Sequence, residues 1–298
     1  MKESALLTSL MLVGVAFIWG GTFIAGRHLS VNTPPLLSAS IRFLIASVTL
    51  SFFLPNKQNK SLLNKNTKIR IFFLGLTGIF FYNICFFYGF QFISASRGSL
   101  IVALNPAGIG LVSFIFLHEQ IRPIKWLGIM LSLIGVFIIV ISKDPTALSM
   151  DVNTWKGDLF LLGCVACWVT YSVASKRVIS EIGTIHSVFY SLVVGTILLG
   201  VTALSTNQAN LVNILELSYS QWFSLLFLGV FGSALAYVWY YKGIEKIGAT
   251  QAGVYIALVP VFGIILGMLL LKEPITLPMI IGGIIVILGI YFCNWSKY

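Results

Sequence analysis

Few residues in this 298-residue chain could carry chemistry, and their placement narrows what that chemistry is. Catalysis would show as a constellation of paired carboxylates, a metal-binding histidine set, or a nucleophile beside its base. The histidines, His28, His118 and His186, are scattered, and the chain has no HExxH, no Asp pair and no GxSxG. Cys164 and Cys167 have the CxxC spacing that suits a metal or redox pair, but no second pair and no nearby His complete it. With Cys85 and Cys293 they read as small buried apolar residues. No catalytic residue, metal or cofactor is expected. Groups suited to holding a solute remain. Arg42 stands alone inside an apolar run, Asn105-Pro106 and Pro260 interrupt two others, and Tyr237 lies deep enough in a fourth to face a pocket.

These residues sit in elements of one kind. The chain is 58% hydrophobic and 9% charged, whereas soluble domains carry about 25% charged residues. A membrane span needs roughly 20 apolar residues at about 1.5 Å each. Ten runs qualify: Leu6–Ala25, Leu36–Leu54, Ile71–Phe90, Gly98–Leu117, Trp126–Ile141, Leu159–Ala174, Thr184–Ala203, Trp222–Tyr241, Ala252–Leu271 and Ile275–Trp295. The predicted class is an all-α integral membrane protein with ten transmembrane helices. The first run is longer than a signal-peptide core and lacks a clear cleavage site, so it is expected to be retained.

The chain repeats itself. Shifted by 154 residues, Gly75, Gly78, Gly89, Pro106, Glu119, Gly128 and Gly135 fall on Gly229, Gly232, Gly243, Pro260, Glu273, Gly282 and Gly289. At an offset of 149, Trp19-Gly-Gly-Thr22 is echoed by Trp168-Val-Thr-Tyr171, each Trp followed eight residues on by a base, Arg27 and Lys176. Five spans per copy is an odd number, so the second copy enters the membrane inverted. The expected organisation is a first repeat at 1–142, an outer linker at 143–156 and a second repeat at 157–298. Of the 19 basic residues, 13 fall on the side of the termini, five on the other, and Arg42 within a span. That positive-inside bias places both termini in the cytoplasm. The net charge of +10 therefore orients the chain, and no nucleic-acid partner is expected.

A charge at mid-membrane is costly and is a functional candidate by default. For Arg42 the alternative is a structural role, bonded to carbonyls and Ser side chains of neighbouring helices. A mid-helix proline frees a carbonyl, which lipid tolerates only against protein or a wet cavity. Pro106 and Pro260 thus predict kinked helices along a pathway, with Asn105 needing partners there. Glu119 and Glu273 lie 13 residues past those prolines and read as parts of helix–helix corners. The glycine pairs Gly128/Gly135 and Gly282/Gly289 read as helix-packing faces. At the end of the eighth span, Trp239, Tyr240 and Tyr241 beside Lys242 read as an interfacial aromatic belt.

Taken together, Phe17-Ile-Trp19-Gly-Gly-Thr22, Arg42-Phe43, Ala103-Leu-Asn105-Pro106, His118-Glu119-Gln-Ile, Ala257-Leu-Val-Pro260 and Lys272-Glu273-Pro resemble the drug/metabolite transporter superfamily, in its ten-helix branch with two EamA-type repeats. The resemblance covers nearly the whole chain. It implies two inverted five-helix repeats around a central cavity that moves small metabolites, often outward, by alternating access. Carried over, the substrate cavity would include Trp19, Thr22, Asn83, Asn105, Trp168, Tyr171, Tyr237 and Tyr255, with Trp19 and Trp168 facing each other. Aromatic walls with a few polar groups suit an amino acid or related compound. The resemblance also implies a bacterial cytoplasmic membrane, a small-molecule substrate, surrounding lipid, and a monomer or weak homodimer. A membrane-embedded sensor, or a proton-coupled drug or sugar-phosphate carrier, stays open as an alternative. The chain has no acid at mid-membrane depth, which favours facilitated transport or exchange. A cation held by backbone carbonyls near Pro106 and Pro260 stays open too.

Overall fold

The structure is a computed structural model that describes residues 2–30, 33–55, 64–93, 95–119, 122–148, 154–209, 214–272 and 274–295. Among these residues it is helical, with no strand. The helices are α1 (Lys2–Ser30), α2 (Pro35–Ser51), α3 (Lys65–Gly89), α4 (Ala95–Val102), α5 (Asn105–Phe116), α6 (Pro123–Lys143), α7 (Thr154–Ile182), α8 (Thr184–Ser205), α9 (Tyr219–Ile247), α10 (Ala249–Val254), α11 (Leu258–Leu271) and α12 (Leu277–Trp295). A 3-10 turn, Tyr255–Ala257, joins α10 to α11. Among the described residues, eight helical segments are long and apolar enough to cross a membrane, and the expected second and fourth spans are shorter apolar helices, Pro35–Ser51 and Leu100–Phe116. At 17 residues α2 rises about 26 Å, which is near the lower limit for a span. Helix α7 begins at Thr154, inside the 143–156 stretch expected to be linker.

Local sequence explains the boundaries. Proline opens α2 and α6, where its missing N–H costs nothing. Asn64 Oδ1 accepts from Thr67 N at the start of α3, and Ser218 with Gln221 forms a capping box at the start of α9. Gly183 (φ 79°) and Gly248 (φ 89°) each end one helix and begin the next. Only glycine adopts that conformation without strain, so α7–α8 and α9–α10 turn with no loop between them. The helices break just before each proline of the repeat, at Ala103–Leu104 before Pro106 and at the 3-10 turn before Pro260. Helices α3 and α9 each contain a π-helical stretch, Gly75–Phe81 and Phe227–Leu235, at matched positions.

Packing follows the self-match residue by residue. A methyl added at Gly75 would lie 2.6 Å from Val194 Cβ and 2.8 Å from Ser191 O. At Gly229 the neighbours are Ile45 Cβ at 2.7 Å and Arg42 O at 2.9 Å, the same contact between matched positions. Gly78 packs on Tyr171 as Gly232 packs on Thr22, and Gly89 packs on Leu161 as Gly243 packs on Leu12. Gly108 meets Val169 as Gly20 meets Phe262. All of these contacts join one copy of the repeat to the other. Helices α6 and α12 run antiparallel, with Gly128 against Gly289 O at 2.5 Å and Gly135 against Gly282 O at 2.6 Å. That contact bears out the small-residue packing face, because only residues without a side chain let two backbones approach so closely. Outward-facing apolar side chains such as Phe114, Ile197, Leu269 and Ile284 are exposed, as lipid contact requires.

Candidate functional site

The π-helical turns bring the glycine faces of α3 and α9 against α7 and α1, and this places the aromatic residues of both copies at the centre. Trp19 and Trp168 meet edge to face with ring centroids 5.3 Å apart. Tyr237 packs on both indoles, at 6.1 and 5.7 Å. Tyr171 packs on Trp168 at 5.5 Å and on Tyr237 at 6.0 Å. Edge-to-face pairs of this kind contribute roughly 0.5–1.5 kcal/mol each beyond burial. Trp19 Nε1 donates to Gly232 O at 3.0 Å, a carbonyl in the π-helical stretch of α9. Thr22 Oγ1 donates back to Trp19 O at 2.7 Å. So Trp19, Thr22, Trp168, Tyr171 and Tyr237 come together.

Other expected site residues are held differently. Asn83 turns its amide back along its own helix and donates to Ile79 O at 2.6 Å, which satisfies a carbonyl of the π-helical stretch. Asn105 is buried beside Pro106 at the start of α5, and its Oδ1 has no hydrogen-bond partner among the described residues. Such an orphaned acceptor needs an explanation. Tyr255 lies further along α1 towards its N-terminus, where its hydroxyl donates to Ser9 Oγ at 2.9 Å. Pro260 is partly buried in the first turn of α11. Arg42 donates from Nε to Ser233 Oγ at 2.7 Å, with the Phe43 ring 5.0 Å from its guanidinium carbon.

Beside Trp19, the space bounded by Leu12, Val15, Ala16, Tyr240, Ala252, Tyr255 and Ile256 has no room for a water molecule. The aromatic rings that would line a cavity pack against one another instead. Tyr240 and Tyr241 are not an interfacial belt, being 1% and 0% exposed. Helix α9 continues to Ile247, so these residues lie inside the bundle, with Tyr240 sharing a hydrogen bond with Ser172 at 3.0 Å. Tyr82 and Phe43 also belong to the cluster, packing on Trp168 and Tyr237 at 5.6 and 6.3 Å. The sequence signal for Tyr82 was position alone, next to Asn83, and Phe43 entered only through the Arg42-Phe43 motif.

Ion pairs flank the cluster at both ends and join the two copies. At one end Glu119 binds Lys176 Nζ at 2.8 Å and Thr250 Oγ1 at 2.9 Å, while Glu181 binds Arg70 and Thr67. Glu119 therefore does more than shape a corner, since it ties α7 and α10 to the end of α5. Its repeat mate Glu273 lies outside the described residues. At the other end Arg97 and Asp158 form a bidentate pair, both bonds 2.6 Å. A cavity of about 260 Å³ opens there among Arg97, Leu100, Ile101, Leu148, Asp158 and Leu162. The cysteines are free thiols, and Cys164 Sγ donates to Tyr82 O at 3.4 Å.

Comparison with known proteins identifies the family and the fold. The pattern of the EamA-like transporter family matches residues 6–141 and again 155–295. The uncharacterized transporter YyaM of Bacillus subtilis is 30% identical over 283 residues, covering 94% of this chain and 91% of its own. An uncharacterized transporter of Archaeoglobus fulgidus is 29% identical over 283 residues, covering 92% and 93%. A solved crystal structure superposes with a TM-score of 0.81 at 18% identity, covering 97% of this chain and 96% of its own, and so has the same fold. With the family matched twice along almost the whole chain and the helices long and apolar enough to span lipid, this protein belongs to the EamA-like transporter family and is an integral membrane transporter.

Proposed function

We propose that the chain exports small metabolites, amino acids or related compounds, by alternating access between two inverted five-span repeats. One observation carries this reading: each copy makes the same glycine contacts to the other, and the matched Trp19 and Trp168 meet ring to ring. A pseudo-symmetric centre can open towards either side by equivalent motions, which is what a carrier with inverted repeats requires. The closed aromatic cluster is then an occluded state, with the substrate pathway formed by Trp19, Thr22, Arg42, Asn83, Asn105, Pro106, Trp168, Tyr171, Tyr237, Tyr255 and Pro260. On this reading Arg97–Asp158 closes the outer end, and Glu119–Lys176 with Arg70–Glu181 closes the cytoplasmic end, in a bacterial inner membrane with both termini inside. The carrier works as a monomer or weak homodimer. Its freed carbonyls and absent mid-membrane acids favour facilitated transport or exchange over proton coupling.

The test is counterflow of labelled amino acids and metabolites into proteoliposomes holding the purified protein. Accelerated exchange of at least one solute is expected, with Trp19→Ala and Trp168→Ala each reducing it at least tenfold. Unchanged exchange in both variants would discard the central pathway.

A further inference from the structure

Among the described residues, Arg42 is a cation with no carboxylate to balance it. Nε is bonded to Ser233 Oγ, and among the described residues no acceptor meets the two terminal nitrogens. The described acids lie elsewhere. Glu119, Asp158 and Glu181 are in ion pairs at helix ends, Glu245 accepts from Thr184, Asp144 caps Thr146, and Glu216 is exposed in the connection before α9. Arg42 is nonetheless deep in the bundle. Its neighbours are the Phe43 ring and the phenols Tyr82 and Tyr237, with Nη2 beside the Gly232 backbone. On α2 it is turned away from the exposed Leu44 and Val48, which mark the lipid side, and its side chain is only half-buried. Neutral hydroxyls do not offset a charge held partly out of water, and one left without a counter-ion is costly.

The repeat sharpens the point. The position matched to Arg42 is Ser191, a neutral residue whose hydroxyl lies 3.3 Å from Tyr171 OH. The pseudo-symmetric centre therefore carries its charge on one side only. A guanidinium presents its N–H groups as a planar fork that matches a carboxylate in two parallel bonds. A phosphate would bring more negative charge than one cation balances, and no second Lys or Arg is present at the centre among the described residues. Its neighbour Tyr237 packs on Trp19 and Trp168, and aromatic faces of this kind suit an ammonium group by cation–π attraction.

We infer that Arg42 binds the carboxylate of the transported solute through its terminal nitrogens, and that the solute is an α-amino acid whose ammonium rests against the central aromatic faces. This rests on the transport reading above. It also assigns Arg42 a role in recognition over one in holding the fold, to which a single Nε bond ties it.

The experiment compares L-leucine and L-phenylalanine with L-leucinamide and L-phenylalaninamide on the full-length protein, by thermal shift in detergent and by counterflow in proteoliposomes. At least one amino acid is expected to raise the melting temperature and exchange, with its amide at least tenfold weaker. Arg42→Gln should lose that discrimination while remaining monodisperse, and Arg42→Lys should keep part of it. An amide that competes as well as its acid overturns the inference, and this arm needs only the wild-type protein should Arg42→Gln fail to fold. Equal stabilisation by chloride or phosphate also overturns it, since Arg42 would then hold an adventitious ion only. Exchange of other solutes but of no amino acid sinks the carboxylate assignment and leaves the transport reading standing. Exchange of nothing at all sinks both.

Discussion

Alanine at Gly135 tests whether the α6–α12 contact holds the two copies together. The added methyl would lie 2.6 Å from Gly282 O, 2.7 Å from Val286 Cγ2 and 2.8 Å from Val286 N. Ordinary van der Waals contact begins near 3.4 Å, and two of the three neighbours are backbone atoms that no rotamer change can move. The helices must therefore part by roughly 0.8 Å, the difference between 2.6 and 3.4 Å. Overpacking of this kind costs about 1–3 kcal/mol. Gly282→Ala meets Gly135 O at 2.7 Å and should cost a similar amount. Both methyls need the same gap, so the double variant should lose clearly less than the sum of the two. Gly200→Ala is the control: nothing lies within 4 Å of its added methyl, and helix propensity alone predicts no loss and a gain of up to about 1 kcal/mol. Thermal unfolding in detergent, followed by size-exclusion recovery, reads all four proteins. The site lies away from this contact, so the KM of whatever solute is exchanged should not change. Equal melting temperatures for Gly135→Ala and Gly200→Ala, or strict additivity in the double variant, would refute the close-packed helix pair.

Three further outcomes are expected. Trp19→Ala removes an indole that packs on three aromatic rings and donates to Gly232 O; stability should fall by about 3–5 kcal/mol, and a fall below 1 kcal/mol on thermal unfolding would count against a packed centre. Arg97→Gln leaves the Asp158 carboxylate, 25% exposed, without its bidentate partner. It should cost about 1–3 kcal/mol, and Asp158→Asn in the same chain should restore part of the loss, with a double-mutant cycle as the measurement. Glu119→Gln weakens a pair whose Lys176 side chain is 43% exposed. Its effect on global stability should stay under about 1 kcal/mol, while amide hydrogen exchange over Ala249–Gly253 should rise because α10 loses its tie to α5.

The sequence by itself determined the membrane class, the helical runs, the repeat and the glycine faces. Each of these follows from local physics. Long apolar runs must span lipid, a backbone conformation such as that of Gly183 or Gly248 strongly favours glycine, and a proline breaks the helix before it. Trp19 and Trp168 stood out because the same short motif recurs, and Arg42 because an isolated charge in an apolar run is costly.

Only the tertiary structure decided how these residues are used. Which helix face meets which depends on contacts between positions as far apart as Trp19 and Gly232, and in lipid apolar side chains do not by themselves say which face turns inward. That is why Tyr240 and Tyr241, read as interfacial, lie buried at the centre, and why Asn83 bonds its own helix. The same long-range packing set the central aromatic rings against one another and left Arg42 with no carboxylate partner among the described residues.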